Sequence, residues 1–225
     1  LSSVLRVPPT LSNPPLCTDL VPAERVSDRL REALAERARP DDPDAEPRAF
    51  SEAQIVTLRA MLARIIPTAV DYGIDIALRL DRMMADQDGN GWRYEALPTD
   101  PNAYKIGLDT LDAIARHRDG TGFVILHSAS QDEILNAIAA SDDLGLSDPT
   151  LFDAKQMALW FEEVLSDSVR HYVAHPAVMA RIGYSGFANG GETGERFVGF
   201  RKVAIGEREA WEPEPVSPAA EESVR

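Results

Sequence analysis

The chain has a single cysteine, Cys17, among 225 residues. One thiol excludes an internal disulfide, a cysteine zinc site and an iron–sulfur cluster held by this chain alone. The readings left for Cys17 are a free thiol in an extended arm or a bridge to another chain. No apolar run is long enough to span a bilayer. The first residues, LSSVLRVPPTLSNPPLC, lack a charged leader followed by an apolar stretch, so no signal peptide is visible. Basic surface is also scarce. The net charge of −14 argues against nucleic acid, whose affinity comes from neutralised phosphates, and against an anionic membrane surface.

Catalytic signatures are missing as well. There is no G-x-S-x-G, no Cys–His pairing and no G-x-x-x-x-G-K-[ST]. GFANGGETGERF (186–197) is glycine-rich, but it follows no strand and opens no helix, so it reads as a loop. Strand signals are confined to Phe197–Ile205.

What is present is helical. In FSEAQIVTLRAMLARIIP (50–67), Ser51 and Gln54 form a capping box, with Phe50 and Ile55 placed for a hydrophobic staple. Ile55, Leu58, Leu62, Ile65 and Ile66 then recur at the helical period until Pro67 stops the helix. Further helices are expected over Ile74–Ala85, from a cap at Asp100 to Gly120, from a capping box at Ser128 and Gln131 through Ile138, and over Leu151–Ala174 after Asp148–Pro149. The last is expected to be the longest, with a short helical turn from Pro176 to Ile182 after it. The expected fold is all-α, an irregular helical core over 50–182. A proline-rich extended arm (1–20), a charged helix from Val21 to Ala38 with an acidic linker (together 21–47) and a Gly/Pro-rich acidic arm (183–225) complete the chain.

Two patterns could hold a metal. In DQDGNG (86–91), Asp86, Asp88 and Asn90 alternate as in the first half of an EF-hand loop. The second half fails, because the bidentate position is Leu97, so a helix ending in a Gly–Asn–Gly turn is the preferred reading. His171 and His175 have i, i+4 spacing, without a third ligand suggested nearby, and histidines also suit a helix C-terminus.

FSEAQIVTLRAMLARIIPT (50–68), GIDIALRLDRMMA (73–85), AYKIGLDTLDAIAR (103–116), FVILHSASQDEILNAI (123–138), WFEEVLSDSVRHYVAHP (160–176) and RIGYSG (181–186) follow one another in an order that resembles the gluconate 2-dehydrogenase subunit 3 family. That resemblance implies an accessory subunit with no active site or cofactor of its own. It implies a large-subunit partner that holds FAD and looks like a glucose–methanol–choline oxidoreductase oxidising a sugar or polyol. A cytochrome c subunit often joins such complexes, and haem c or an iron–sulfur cluster would sit elsewhere in the assembly. The resemblance also implies maturation or export of the partner and a periplasmic location, although no twin arginine is present and the cytoplasm stays open. Proline-bearing arms suit wrapping another chain. Cys17, Phe187, Phe200 and Trp211 are the candidate partner contacts.

Overall fold

The computed structural model describes residues 16–22, 25–42, 44–89, 91, 94–186 and 200–214. Among these there are eight α-helices and no strand. The all-α expectation holds. The residues group into two compact units, one Asp41–His171 and the other combining 16–40 with 172–214.

In the first unit, α3 (Glu52–Ile65) is built as its sequence predicts. Gln54 N–H donates to Ser51 Oγ at 3.2 Å and Ser51 N–H to Gln54 Oε1 at 3.1 Å, so the capping box closes. Ile55, Leu58, Leu62 and the capping Ile66 are buried, and Pro67 begins a 3-10 turn to Tyr72. Helix α4 (Ile76–Asp86) is capped by Asp75, whose Oδ1 accepts from Leu78 N–H at 3.1 Å. Helix α5 spans Asp100–Asp119 and stops at Gly120, which takes the left-handed conformation (φ 73°) that costs glycine little.

Three helix starts differ from expectation. Thr99, not Asp100, is the cap of α5; Asp100 already has helical geometry and places its charge in the first turn, where the helix dipole favours it. Helix α6 (Ser128–Ala139) has His127 as its cap and no capping box. Gln131 is drawn away, its amide donating to the Phe123 carbonyl at 2.9 Å in the interior. Helix α7 begins at Ala154, because Asp148 closes a turn on Thr150 instead. Its capping box is Asp153 with Gln156, at 2.8 and 3.2 Å. Running to Val173, α7 has 20 residues, the same as α5, so it is not longer than every other helix.

The two long helices meet at Gly107. A Cβ built there would lie 2.3 Å from Trp160 Cε2, so the fully buried indole rests on the α5 backbone. Tyr104, one turn earlier, stacks on Phe50 (centroids 6.0 Å apart) and meets Trp160 edge-on (6.3 Å). Leu108, Leu111, Ile114, Ile134, Ile138 and Val164 complete the interior around them.

The acidic segment before the core is bound, not loose, from Asp41 onward. Asp41 accepts from Asp75 N–H and Arg79 Nε at 3.0 and 2.7 Å, and from Arg82 Nη1 at 3.2 Å. Asp81, only 1% exposed, accepts the backbone N–H groups of Arg48, Ala49 and Phe50 at 2.6, 2.9 and 2.8 Å. Those carboxylates hold Asp41 and residues 48–50 against α4.

The second unit contains α1 (Cys17–Leu20), α2 (Asp28–Arg37), α8 (Pro176–Arg181) and the segment 200–214. The extended-arm expectation fails at 17–20, which form a helical turn because Cys17 packs with Leu34 and Ala180. Residues 1–15 lie outside the described part. Helix α2 starts at Asp28 after the Ser27 cap, leaving Val21 and Val26 to form a small cluster with Leu30 and Trp211. Of the strand signal at Phe197–Ile205, residues 197–199 lie outside the described residues and 200–205 make no strand, side-chain clamps holding the backbone there instead.

Two substitutions test this packing by thermal or denaturant unfolding. Gly107→Ala forces a methyl against Trp160 and is expected to cost about 2 kcal/mol or more. Asp81→Ala strands three backbone donors and is expected to cost about 3 kcal/mol, and wild-type stability in either variant would contradict the assignment.

Candidate functional site

Helices α4, α5 and α7 share one polar network. Tyr104 Oη donates to Asp167 Oδ2 at 2.9 Å, and Arg170 Nη2 lies 3.1 Å from Asp167 Oδ1 and 3.0 Å from Met83 Sδ. Burial, followed by the nearby Asp167 charge, raises the Tyr104 pKa well above its ordinary value. Burial also raises that of Glu163, with Asp167 and Asp100 adding like-charge repulsion. The signal for this network lies in the α7 stripe. Asp167 shares the face of Trp160 and Val164, and a carboxylate among apolar neighbours needs a partner.

The network is committed to the fold. Tyr104 is a donor held by Asp167, and Asp167 is shared with Arg170. A cleft beside it is lined by Met83, Met84, Gln87, Gly89, Thr99 and Asp100 among others, and among the described lining residues Asp100 is the only ionisable one.

The metal candidates are placed apart from any ligand set. Asp86 is held by Arg48 at 2.6 and 3.1 Å, and this pairing lowers its pKa. The helix ends there, with Gln87 left-handed at φ 55°, and Asp88 is exposed. Asn90 lies outside the described residues. His171 is on α7, but α7 stops at Val173, and His175 takes an extended conformation as the cap of α8. The one-face histidine pair expected from i, i+4 spacing is therefore not formed. His175 Nδ1 accepts from Ala177 N–H at 3.3 Å, and burial, then the charges of Arg170 and Arg79, lower the His171 pKa. Among the described residues no three His, Cys, Asp or Glu side chains come together as a metal site.

Three of the four partner-contact candidates, Cys17, Phe200 and Trp211, fall in the second unit. Cys17 is fully buried, with Sγ 3.8 Å from Met179 Sδ, and burial pushes its thiol up to about 11. It is thus neither ionised at neutral pH nor presented on an extended arm. Trp211 stacks on Phe200 at 5.5 Å and lies 4.4 Å beneath the Arg25 guanidinium. Phe187 lies outside the described residues. No described helix is long and apolar enough to cross a membrane.

The raised Glu163 pKa gives a pH test. A carboxyl that binds its proton more tightly in the fold imposes no penalty below its unfolded pKa and a full one above the raised folded value. Glu163→Gln should therefore melt higher than wild type at pH 7, with the difference vanishing toward pH 4. A difference that grows on acidification would reverse the assignment.

The family model of the gluconate 2-dehydrogenase subunit 3 matches residues 52–190. No curated protein and no solved structure gives a match. The matched region takes in α3 to α8, including the Gly107–Trp160 contact and the Tyr104–Asp167 network. This chain belongs to the gluconate 2-dehydrogenase subunit 3 family.

Proposed function

We propose that the chain is a non-catalytic small subunit that binds and stabilises the large subunit of an FAD-dependent sugar or polyol dehydrogenase. The observation that carries this reading is the family match across the helical core, to a subunit of a dehydrogenase complex. The chemistry of the core supports it. Tyr104, Asp167 and Asp81 are engaged with one another, with Arg170 or with backbone donors, and none stands beside a nucleophile.

The partner is of the glucose–methanol–choline type and holds the FAD. Nothing among the described residues of this chain resembles a βα dinucleotide cradle, which needs a strand feeding a glycine-rich turn. A cytochrome c subunit takes the electrons onward, and haem c or an iron–sulfur cluster belongs to the other chains. The complex works in the periplasm, and the small subunit assists maturation or export of the large one. A helical core with short flanking segments packed by side chains suits this task, because contact area rather than a reactive group is what it supplies.

Co-expression tests the proposal. The large subunit made with this chain is expected to reach several-fold higher soluble yield and FAD occupancy than the large subunit made alone. A large subunit that is fully soluble, flavinylated and active when made alone would overturn it.

A further inference from the structure

The segment 200–214 lacks helix and strand yet is tied down at many points. Glu209 Oε1 accepts the N–H groups of Arg201 and Lys202, closing the base of a loop. Glu212 accepts from Ser185 Oγ at 2.7 Å and from Glu209 N–H at 2.6 Å. Arg208 Nη2 donates to the Gly183 and Pro213 carbonyls at 2.8 and 2.7 Å. Glu207 N–H turns back onto the Ala204 carbonyl, and Gly206 takes φ 79° to complete the bend.

This scaffold points apolar groups at water. Val203 is 83% exposed and Ile205 106%, the two most exposed large hydrophobic side chains described. Beside them stand Arg201 and Lys202, both exposed cations in a chain of net charge −14. A rigid apolar tip gains nothing in the free chain, but its conformational cost is already met when a second surface covers it.

We propose that the loop 200–209 is a preformed plug whose Val203 and Ile205 enter an apolar socket, rimmed by carboxylates, on the dehydrogenase subunit. The inference rests on the proposed accessory role and adds the contact that performs it. Phe200 and Trp211 are then the base of the plug, stacked on each other, and its tip is aliphatic. A protein socket fits better than a lipid surface. The family is one of complex-forming subunits, so a protein surface is the occupant, and the exposed Arg201 and Lys202 suit carboxylates at its rim.

The test measures binding of the full-length chain to the purified, flavin-loaded dehydrogenase subunit. V203D/I205D should weaken binding about 100-fold while helix content and Tm stay at wild type, because both side chains are solvent-exposed in the free chain. R201E/K202E should slow association at low salt and approach wild type at high salt. Glu209→Ala, which removes the acceptor at the loop base without touching the tip, should weaken binding about 5-fold through lost preorganisation. Unchanged affinity in V203D/I205D would overturn the plug while leaving the accessory role intact. If that variant keeps its affinity for the subunit but loses sedimentation with mixed phosphatidylcholine and phosphatidylglycerol vesicles, the loop is a lipid contact and the plug is overturned as well. A wild-type chain that binds no dehydrogenase subunit would sink both readings.

Discussion

The indole of Trp160 lying on Gly107 sets the geometry of the helical core. It brings the α5 backbone and the α7 side chains closer than any residue with a Cβ would permit. Tyr104 then stands one turn before Gly107 on the same face, stacked against Phe50 and edge-on to Trp160. From that position its hydroxyl reaches Asp167 on α7, and Asp167 in turn holds Arg170 over Met83 of α4. A single close approach thereby links three helices through one apolar contact and one polar chain. Because Tyr104, Asp167 and Arg170 all have partners within that chain, the network fixes register rather than creating reactivity.

Much of this is legible in the sequence. The Ser51–Gln54 box, the buried stripe of α3 and the Gly120 stop are local features, set by residues within a turn or two of each other. The displaced starts of α6 and α7 share one cause. Gln131 and Asp148 have the right chemistry for caps, but Gln131 is claimed by the distant Phe123 carbonyl and Asp148 by the neighbouring Thr150. Spacing alone does not say which of two competent partners an amide or carboxylate will take. The same holds for Asp41 and Asp81, which look like ordinary acidic residues in sequence and fasten residue 41 and residues 48–50 to α4 in the fold.

The candidate site is legible in a narrower sense. The half-formed calcium pattern at 86–91 reads as a helix end, and the helix does end there, with Asp86 engaged by Arg48. The His171–His175 spacing misleads because Pro176 demands a new helical start and His175 becomes its cap. Cys17 is drawn into a hydrophobic cluster by contacts far along the chain, with Leu34 and Ala180, which no local pattern announces. The ordered 200–214 segment is likewise hidden in sequence, since it is built from Glu209, Glu212 and Arg208 acting on backbone groups rather than from any periodicity.

One physical theme joins these features: charged side chains hold backbone in place. The most direct measurement is native mass spectrometry of the co-purified complex, followed by gentle dissociation. The predicted result is a complex of this chain with a flavin-bearing dehydrogenase subunit, from which this chain departs at its bare polypeptide mass while the flavin stays behind. A chain that leaves carrying flavin or metal, or that is recovered with no dehydrogenase subunit, would contradict it.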